Sequence, residues 1–117
     1  MTDQQTIALT GGTGFVGQAV LDVLSQRQTH ARALARRVPA DPRPFVEWVP
    51  GALDERTALD RLVDGADVVI HIAGLTSSPD PADFETANVA GTLNLVEAAK
   101  AAGVPRLVFV SSLAARE

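Results

Sequence analysis

The segment with the clearest chemical potential is a glycine-rich stretch at residues 10–17, which reads TGGTGFVG. Gly12, Gly14 and Gly17 have the G-x-G-x-x-G spacing, and Gly11 with the last two has the wider T-G-x-x-G-x-x-G spacing. An apolar run precedes the glycines and an amphipathic stripe follows them, as between a strand and a helix. Glycines there bring the backbone close to a diphosphate, and the free N–H groups and dipole of the helix stabilise that anion. The segment predicts nucleotide binding; the alternative is a turn without a ligand.

The same glycines fit part of a second phosphate-binding pattern, the P-loop G-x-x-x-x-G-K-[ST]. Gly12 and Gly17 have its spacing, but Gln18 and Ala19 stand where that loop needs Lys followed by Ser or Thr. Because nothing would then reach the terminal phosphates or hold Mg²⁺, a nucleoside triphosphatase is disfavoured.

Two adjacent arginines bear on the choice of dinucleotide. In folds that prefer NAD, an acidic residue roughly 20 positions beyond the glycines binds the ribose hydroxyls. Counting from Gly17 leads to Arg36 and Arg37, and the next carboxylate, Asp41, lies in a proline-rich loop. A guanidinium at this place would pair with the 2′-phosphate of NADP. The arginines predict NADP, with NAD as the alternative; without a ligand they are two solvated residues at a strand end.

Apolar periodicity predicts the elements that position these residues. Strands are predicted at 6–10, 31–35, 45–49, 67–72 and 106–112. Helices are predicted after the glycines, at 54–64 with Asp54 as N-cap, and at 84–102 after a turn at 75–83. The order β-α-β-β-α-β-α-β predicts an α/β fold with parallel strands and right-handed crossovers.

The composition excludes several classes of protein. The 117 residues fit one domain, and the absence of cysteine excludes disulfides, zinc-thiolate sites, iron–sulfur clusters and a thiol nucleophile. A net charge of −4 disfavours nucleic acid as a partner. No apolar run approaches the roughly 20 residues of a membrane span. Since the N-terminal MTDQQ also lacks the features of a signal peptide, we expect a cytoplasmic protein.

Four segments in this order carry a family resemblance. They are TGGTGFVG, DVVIHIAG at 67–74, NVAGTLNLVEAA at 88–99 and RLVFVSS at 106–112. Together they resemble the N-terminal half of the extended short-chain dehydrogenase/reductases, the NAD(P)-dependent epimerase/dehydratase group. The resemblance implies a doubly wound Rossmann sheet of five parallel strands in the order 3-2-1-4-5. It also implies that residues 1–117 are the NAD(P)-binding part of a longer oxidoreductase or sugar-nucleotide epimerase/dehydratase, which transfers hydride at a hydroxyl or carbonyl of a small-molecule substrate.

The resemblance further implies roles for individual residues. The glycines would cradle the diphosphate with backbone N–H groups nearby, the fourth strand would line the ribose and nicotinamide, and an asparagine would hold the mid-sheet helix. The implied cofactor-binding residues are Gly11, Gly14, Phe15, Val16, Gly17, His71, Ala73, Gly74 and Asn88. Ser112, or else Ser111, would donate a hydrogen bond to the reacting substrate oxygen.

Four of these residues have purely structural alternatives. His71 in an apolar strand could be a core residue whose hydrogen bonds are all satisfied. Asn88 could satisfy backbone groups within its helix. Ser111 and Ser112 could simply end a strand.

The sequence also departs from the family pattern. The family's general acid/base is the tyrosine of a Tyr-x-x-x-Lys pair, but this chain has no tyrosine and its one lysine, Lys100, lies on an earlier helix. We therefore expect the chain alone to be inactive; the alternative is a non-catalytic NADP-sensing or accessory protein. Ala52 stands where family members often carry an aspartate that meets the adenine.

A broad apolar surface on the helix predicted at 84–102 suggests self-association. Val89, Leu93 and Val96 form one stripe, and Leu95 lies displaced around the helix from it. The last strand would add Leu107 or Phe109, or their alternates, to the exposed surface. We expect a dimer formed through this helix or through strand edges.

Overall fold

The computed structural model describes residues 5–40, 43–72 and 81–110, without the side chains of 81–88. The strands are β1 (Thr6–Thr10), β2 (His30–Ala35), β3 (Val46–Pro50), β4 (Val68–Ile72) and β5 (Arg106–Val110). The helices are α1 (Phe15–Gln26), α2 (Arg56–Val63) and α3 (Pro81–Ala102). The alternation of strands and helices predicted from periodicity is confirmed.

The five strands form one parallel sheet in the order β3-β2-β1-β4-β5. This confirms the doubly wound order 3-2-1-4-5. β1 is central, with β2 on one side and β4 on the other, so the chain leaves β1 where the strand order reverses. In such sheets ligands bind in the crevice at the carboxyl ends of the strands on either side of that point.

Each face of the sheet buries its own apolar cluster, because alternate residues of a strand point to opposite faces. In β1, Ala8 belongs to one cluster and Leu9 to the other. The first cluster packs α2 and α3 on the sheet, through residues that include Leu59, Leu62 and Leu95. The second packs α1 through Leu21 and Leu24, against residues that include Ala31, Ala33 and Ile72. In the part of the chain that the structure describes, no helix is long and apolar enough to cross a membrane.

Two helices begin at residues other than those predicted. The N-cap of α2 is Glu55 rather than Asp54, and the Glu55 carboxylate accepts a hydrogen bond from the Ala52 N–H at 2.8 Å. The first residue of α3 is Pro81, so residues 81–83 are helical and not part of a turn. A proline is compatible with this start, because the first N–H groups of a helix have no intrahelical partner.

The face of α3 that packs in the core, which the apolar pattern left open, is the one that carries Leu95. Leu95 is fully buried, whereas Val89 and Leu93 are each 57% exposed. On β5, Phe109 is 56% exposed while Leu107 packs partly against the first cluster. Leu95 is therefore a core residue, and the exposed apolar positions of α3 on which self-association could depend are Val89 and Leu93.

Candidate functional site

The glycine loop connects β1 to α1 at the carboxyl edge of the sheet and packs against the end of β4. Gly11 has a φ of 77°, a left-handed conformation that favours glycine. A Cβ atom at Gly11 would lie 2.8 Å from the carbonyl oxygen of Ile72 and 2.9 Å from its Cβ. The loop therefore packs directly against β4 because Gly11 has no side chain.

Gly17 lets the first turn of α1 approach the loop as closely as the loop approaches β4. A Cβ at Gly17 would overlap the carbonyl oxygen of Gly11 and lie 2.7 Å from the Cα of Gly12. At Gly14, by contrast, a Cβ would meet only the Gly11 oxygen among the described residues, at 3.6 Å. Gly17 is thus required by the packing of the protein itself, whereas Gly14 leaves open space at the start of the helix.

Backbone N–H groups at the start of α1 face this open space without intrahelical partners. The Gln18 N–H donates to the Gly14 carbonyl at 2.9 Å, so the N–H groups of Phe15, Val16 and Gly17 precede the first regular helical bond. The first turn holds no acidic side chain. Phe15 and Val16 are exposed. Free donors and the positive end of the helix dipole suit an anion here.

Gln18 braces the loop in a way that the sequence pattern did not reveal. Its Nε2 donates a hydrogen bond to the carbonyl of Thr13 at 3.0 Å. The residue that takes the place of the P-loop lysine therefore supports the backbone and does not extend toward a phosphate.

Arg36 and Arg37 follow β2 directly and are exposed at the same edge of the sheet as the glycine loop. Leu9 of β1 pairs with Ala33 of β2, so the chain leaves both strands at nearly the same level. Neither arginine forms a salt bridge within the described ranges. Both guanidinium groups are therefore placed where a ligand bound along this edge could meet them.

His71 is buried behind the glycine loop and joins three elements. Its Nδ1 lies 2.6 Å from the Thr10 hydroxyl of β1, and its Nε2 lies 2.9 Å from the Thr92 hydroxyl of α3. The Ile72 N–H donates to the Thr10 oxygen at 3.2 Å, and we assign the Thr10 hydroxyl proton to the bond with Nδ1. The Nε2–H is then the donor to Thr92. The Phe109 ring packs edge-on against the imidazole, with centroids 5.8 Å apart.

These bonds occupy the whole His71 side chain, so any contact with a ligand would come from its backbone. Thr10 and Thr92 were not predicted as part of the site. The available signal was weak: Thr10 ends the strand before the glycines, and its partner in the β1–β4 register is His71.

The remaining predicted positions lie outside what the structure describes. These are Ala73, Gly74, Ser111, Ser112 and the side chain of Asn88, whose backbone belongs to α3. The described residues that meet at the carboxyl edge are the glycine loop, the start of α1 and the two arginines, with His71 behind them. No group of three or more His, Asp or Glu side chains suited to a metal occurs among the described residues.

His71 makes the stability of the fold sensitive to pH. Burial lowers the pKa of the imidazole below its ordinary value, because desolvation penalises the charged form. Its contribution is complete above the unfolded pKa of about 6.5 and is lost as the pH falls toward the folded pKa. Between about pH 7.5 and about pH 5.5 we expect the free energy of unfolding to fall, by at most about 1.4 kcal/mol per pH unit for this one group.

Urea denaturation followed by circular dichroism measures this change. His30 is exposed, so a His30→Gln variant should keep the same decrease. A parent protein equally stable at both pH values would contradict the assignment of a neutral, buried His71.

Comparison with known proteins agrees with this geometry. The NAD dependent epimerase/dehydratase family matches residues 7–115. The ceramide reductase of Caulobacter vibrioides is 46% identical over 114 residues, which cover 95% of this chain and 36% of the reductase. The chain spans about a third of the length of the curated relatives that it matches.

Solved structures share the fold and extend the comparison. A short-chain dehydrogenase/reductase superfamily protein from Agrobacterium tumefaciens with bound NAD has a TM-score of 0.79 and 37% identity, over 92% of this chain and 33% of that one. A uronate dehydrogenase variant from the same organism, complexed with NAD, has a TM-score of 0.78 and 28% identity, over 94% of this chain and 42% of that one. By the match over nearly its whole length, the chain belongs to the NAD-dependent epimerase/dehydratase family.

Proposed function

We propose that the chain is the dinucleotide-binding part of an NAD(P)-dependent oxidoreductase or epimerase/dehydratase. The observation that carries the proposal is the glycine loop, in which Gly17 packs onto Gly11 while Gly14 leaves open space beside free N–H groups. A cradle of this kind, between β1 and α1 where the strand order reverses, fits the diphosphate of a dinucleotide. The relatives with bound NAD support the same ligand class.

The residues of the chain would hold the cofactor chiefly through their backbone. The N–H groups of Phe15 and Val16 would donate to the diphosphate, and no carboxylate in the first turn of α1 opposes that charge. The ends of β2 and β4 would flank the two nucleoside halves, with the backbone of Ala73 and Gly74 proposed for the nicotinamide side. When bound, the cofactor supplies or accepts a hydride at its nicotinamide ring.

We further propose that the cofactor is NADP, with NAD as the alternative. Arg36 and Arg37 stand where an NAD-binding fold carries an acidic residue, and both are exposed at the edge of the proposed site. Each can donate charge-assisted hydrogen bonds to a 2′-phosphate. The neighbours with bound NAD establish the ligand class for those proteins, and the charge at the end of β2 favours the phosphorylated form here.

Acid–base chemistry is the part that this chain does not supply by itself. It contains no tyrosine, and Lys100 lies in the last turn of α3. Because α3 runs back toward the start of β5, its last turn lies at the amino edge of the sheet, opposite the glycine loop. We propose that Ser112, or Ser111, binds the substrate oxygen, and that residues 1–117 alone bind cofactor without turnover.

Titration calorimetry with NADP and NAD tests the cofactor assignment. The parent should bind NADP more tightly, by about tenfold or more, because a charged hydrogen bond contributes about 1.5–3 kcal/mol. Arg36→Asp should reverse the order, because it replaces a partner of the phosphate with a carboxylate that repels it. Arg27→Asp is the matched control, since it makes the same charge change at the C-cap of α1, at the far end of that helix.

The results distinguish the choice between NADP and NAD from dinucleotide binding itself. Equal affinities, or tighter binding of NAD by the parent, would contradict the NADP assignment while leaving dinucleotide binding in place. Failure of the parent to bind either dinucleotide would overturn the proposed function itself.

A non-catalytic NADP-binding protein remains the second candidate, because the sequence holds no tyrosine. The coding sequence beyond codon 117 distinguishes the two. A Tyr-x-x-x-Lys motif there supports the enzyme, and its absence from the complete gene supports the non-catalytic protein.

A further inference from the structure

A buried chain of hydrogen bonds runs behind the glycine loop, from Ile72 through Thr10 and His71 to Thr92. We call it the threonine–histidine chain. His71 is 3% exposed and Thr10 is 2% exposed, so water does not compete for the bond between them, whereas the bond to Thr92 is partly buried. The threonine–histidine chain joins β1, β4 and α3, three elements that are distant in sequence.

The bonds are satisfied together by one arrangement of protons, which we assign here. The Thr10 oxygen accepts the Ile72 N–H and its own proton goes to Nδ1 of His71, while the neutral ring carries its proton on Nε2. The Thr92 hydroxyl is the acceptor for that proton. Without the Thr92 hydroxyl, a buried Nε2–H loses its partner, and a change of tautomer would break the bond to Thr10 instead.

The same residues contact the glycine loop directly. Thr10 precedes Gly11 in the chain, and a Cβ at Gly11 would lie only 2.8 Å from the carbonyl oxygen of Ile72. The Gly11 carbonyl in turn accepts the Gly14 N–H at 3.2 Å. A small displacement of Thr10 and Ile72 would therefore also displace Gly11 and, through the Gly11 carbonyl, Gly14, because closely packed groups move together.

We propose that His71 is a positioning residue for the dinucleotide site. It sets the geometry of Gly11 to Gly14 through Thr10, and Thr92 fixes its tautomer. The inference rests on the proposed function, because it assigns the loop a ligand. His71 touches neither cofactor nor substrate with its side chain; it acts through the backbone of the loop.

Paired substitutions at Thr92 test this role, since Thr92 lies on α3 and is not itself part of the glycine loop. Thr92→Val keeps the shape of the side chain and removes the acceptor, whereas Thr92→Ser keeps the hydroxyl. We expect Thr92→Val to raise the Kd for NADPH by about tenfold, because the displaced loop must return to its parental geometry when the ligand binds. Thr92→Ser should keep the Kd within about twofold of the parent. Val63→Ala is the control for general destabilisation, because Val63 is a buried residue of α2 outside the site.

Amide hydrogen exchange provides a second measurement that needs no ligand. Exchange at Ile72 and Gly14 should accelerate in Thr92→Val by more than the general acceleration that Val63→Ala produces, and should remain near the parental rates in Thr92→Ser. If Thr92→Val kept the parental Kd and exchanged at these amides no faster than Val63→Ala, His71 would be a core residue only. If the parent bound no dinucleotide, the proposed function would fail, and exchange alone would then decide whether the threonine–histidine chain positions the loop.

Discussion

We expect valine at position 14 to abolish dinucleotide binding while the fold persists, and alanine at position 17 to disrupt the fold itself. Gly14 has a φ of −82° and a ψ of 178°, which any residue adopts, and a Cβ there would meet no atom of the described part of the chain closer than 3.6 Å. The cost of Gly14→Val is therefore that of a poor N-cap, about 1 kcal/mol. The valine side chain would nevertheless fill the space where the backbone must approach a diphosphate.

Gly17→Ala meets the opposite situation. The added methyl would overlap the Gly11 carbonyl, and both neighbours are backbone atoms that cannot rotate away. Alanine is normally favoured over glycine within a helix by about 1 kcal/mol, but here α1 would have to move off the loop. We expect a loss of about 3 kcal/mol or more in the free energy of unfolding.

Circular dichroism during urea denaturation and calorimetry with NADPH separate these two outcomes. Ala19→Val, at an exposed position of the same helix, is the control for a β-branched residue in α1 and should change both quantities little. Retention of parental affinity by Gly14→Val would show that the loop is only a turn. Parental stability of Gly17→Ala would show that α1 and the loop are not in the contact described.

The order of elements was predictable because it depends on local pattern, whereas the strand order was expected from the family resemblance. A short apolar run, a glycine turn and an amphipathic stripe can be recognised within about 20 residues, and the handedness of crossovers then limits the topology. The glycine motif was predictable for the same reason. The motif did not distinguish the roles of its glycines. Gly17 is needed for the packing of α1 on the loop, and Gly14 leaves room for a ligand.

The threonine–histidine chain was not predictable in this way. Thr10 and His71 are 61 positions apart and meet only through the register of β1 and β4. The third member, Thr92, comes from a helix whose rotation about its axis the sequence left ambiguous. Such a chain of bonds requires register and rotation together, and neither is encoded by a local pattern.

The face of α3 was ambiguous because the helix carries apolar residues on several sides. Leu93 and Leu95 are close in sequence and identical in type, yet one is 57% exposed and the other fully buried. What decides between them is α2, whose Leu59 and Leu62 belong to the same cluster as Leu95. The partner helix is therefore the reason that Leu95 is a core residue.

We expect glutamine at these two positions to have very different effects. Leucine and glutamine have similar helix propensities, so the comparison isolates burial. Leu95→Gln removes a buried side chain from the first cluster and places an amide there without a partner, and should cost about 3 kcal/mol or more. For a domain whose free energy of unfolding is about 5–15 kcal/mol, that is a large share of the total.

Leu93→Gln should change the free energy of unfolding by no more than about 0.5 kcal/mol, because most of the side chain already contacts solvent. Urea denaturation of both variants gives the comparison, and light scattering of Leu93→Gln shows whether this exposed leucine holds copies of the chain together. Similar losses at both positions would mean that α3 packs on the sheet through a face other than that of Leu95. A large loss in the free energy of unfolding for Leu93→Gln alone would mean that the other face of α3 is buried. It would thereby also contradict the placement of Thr92 beside His71.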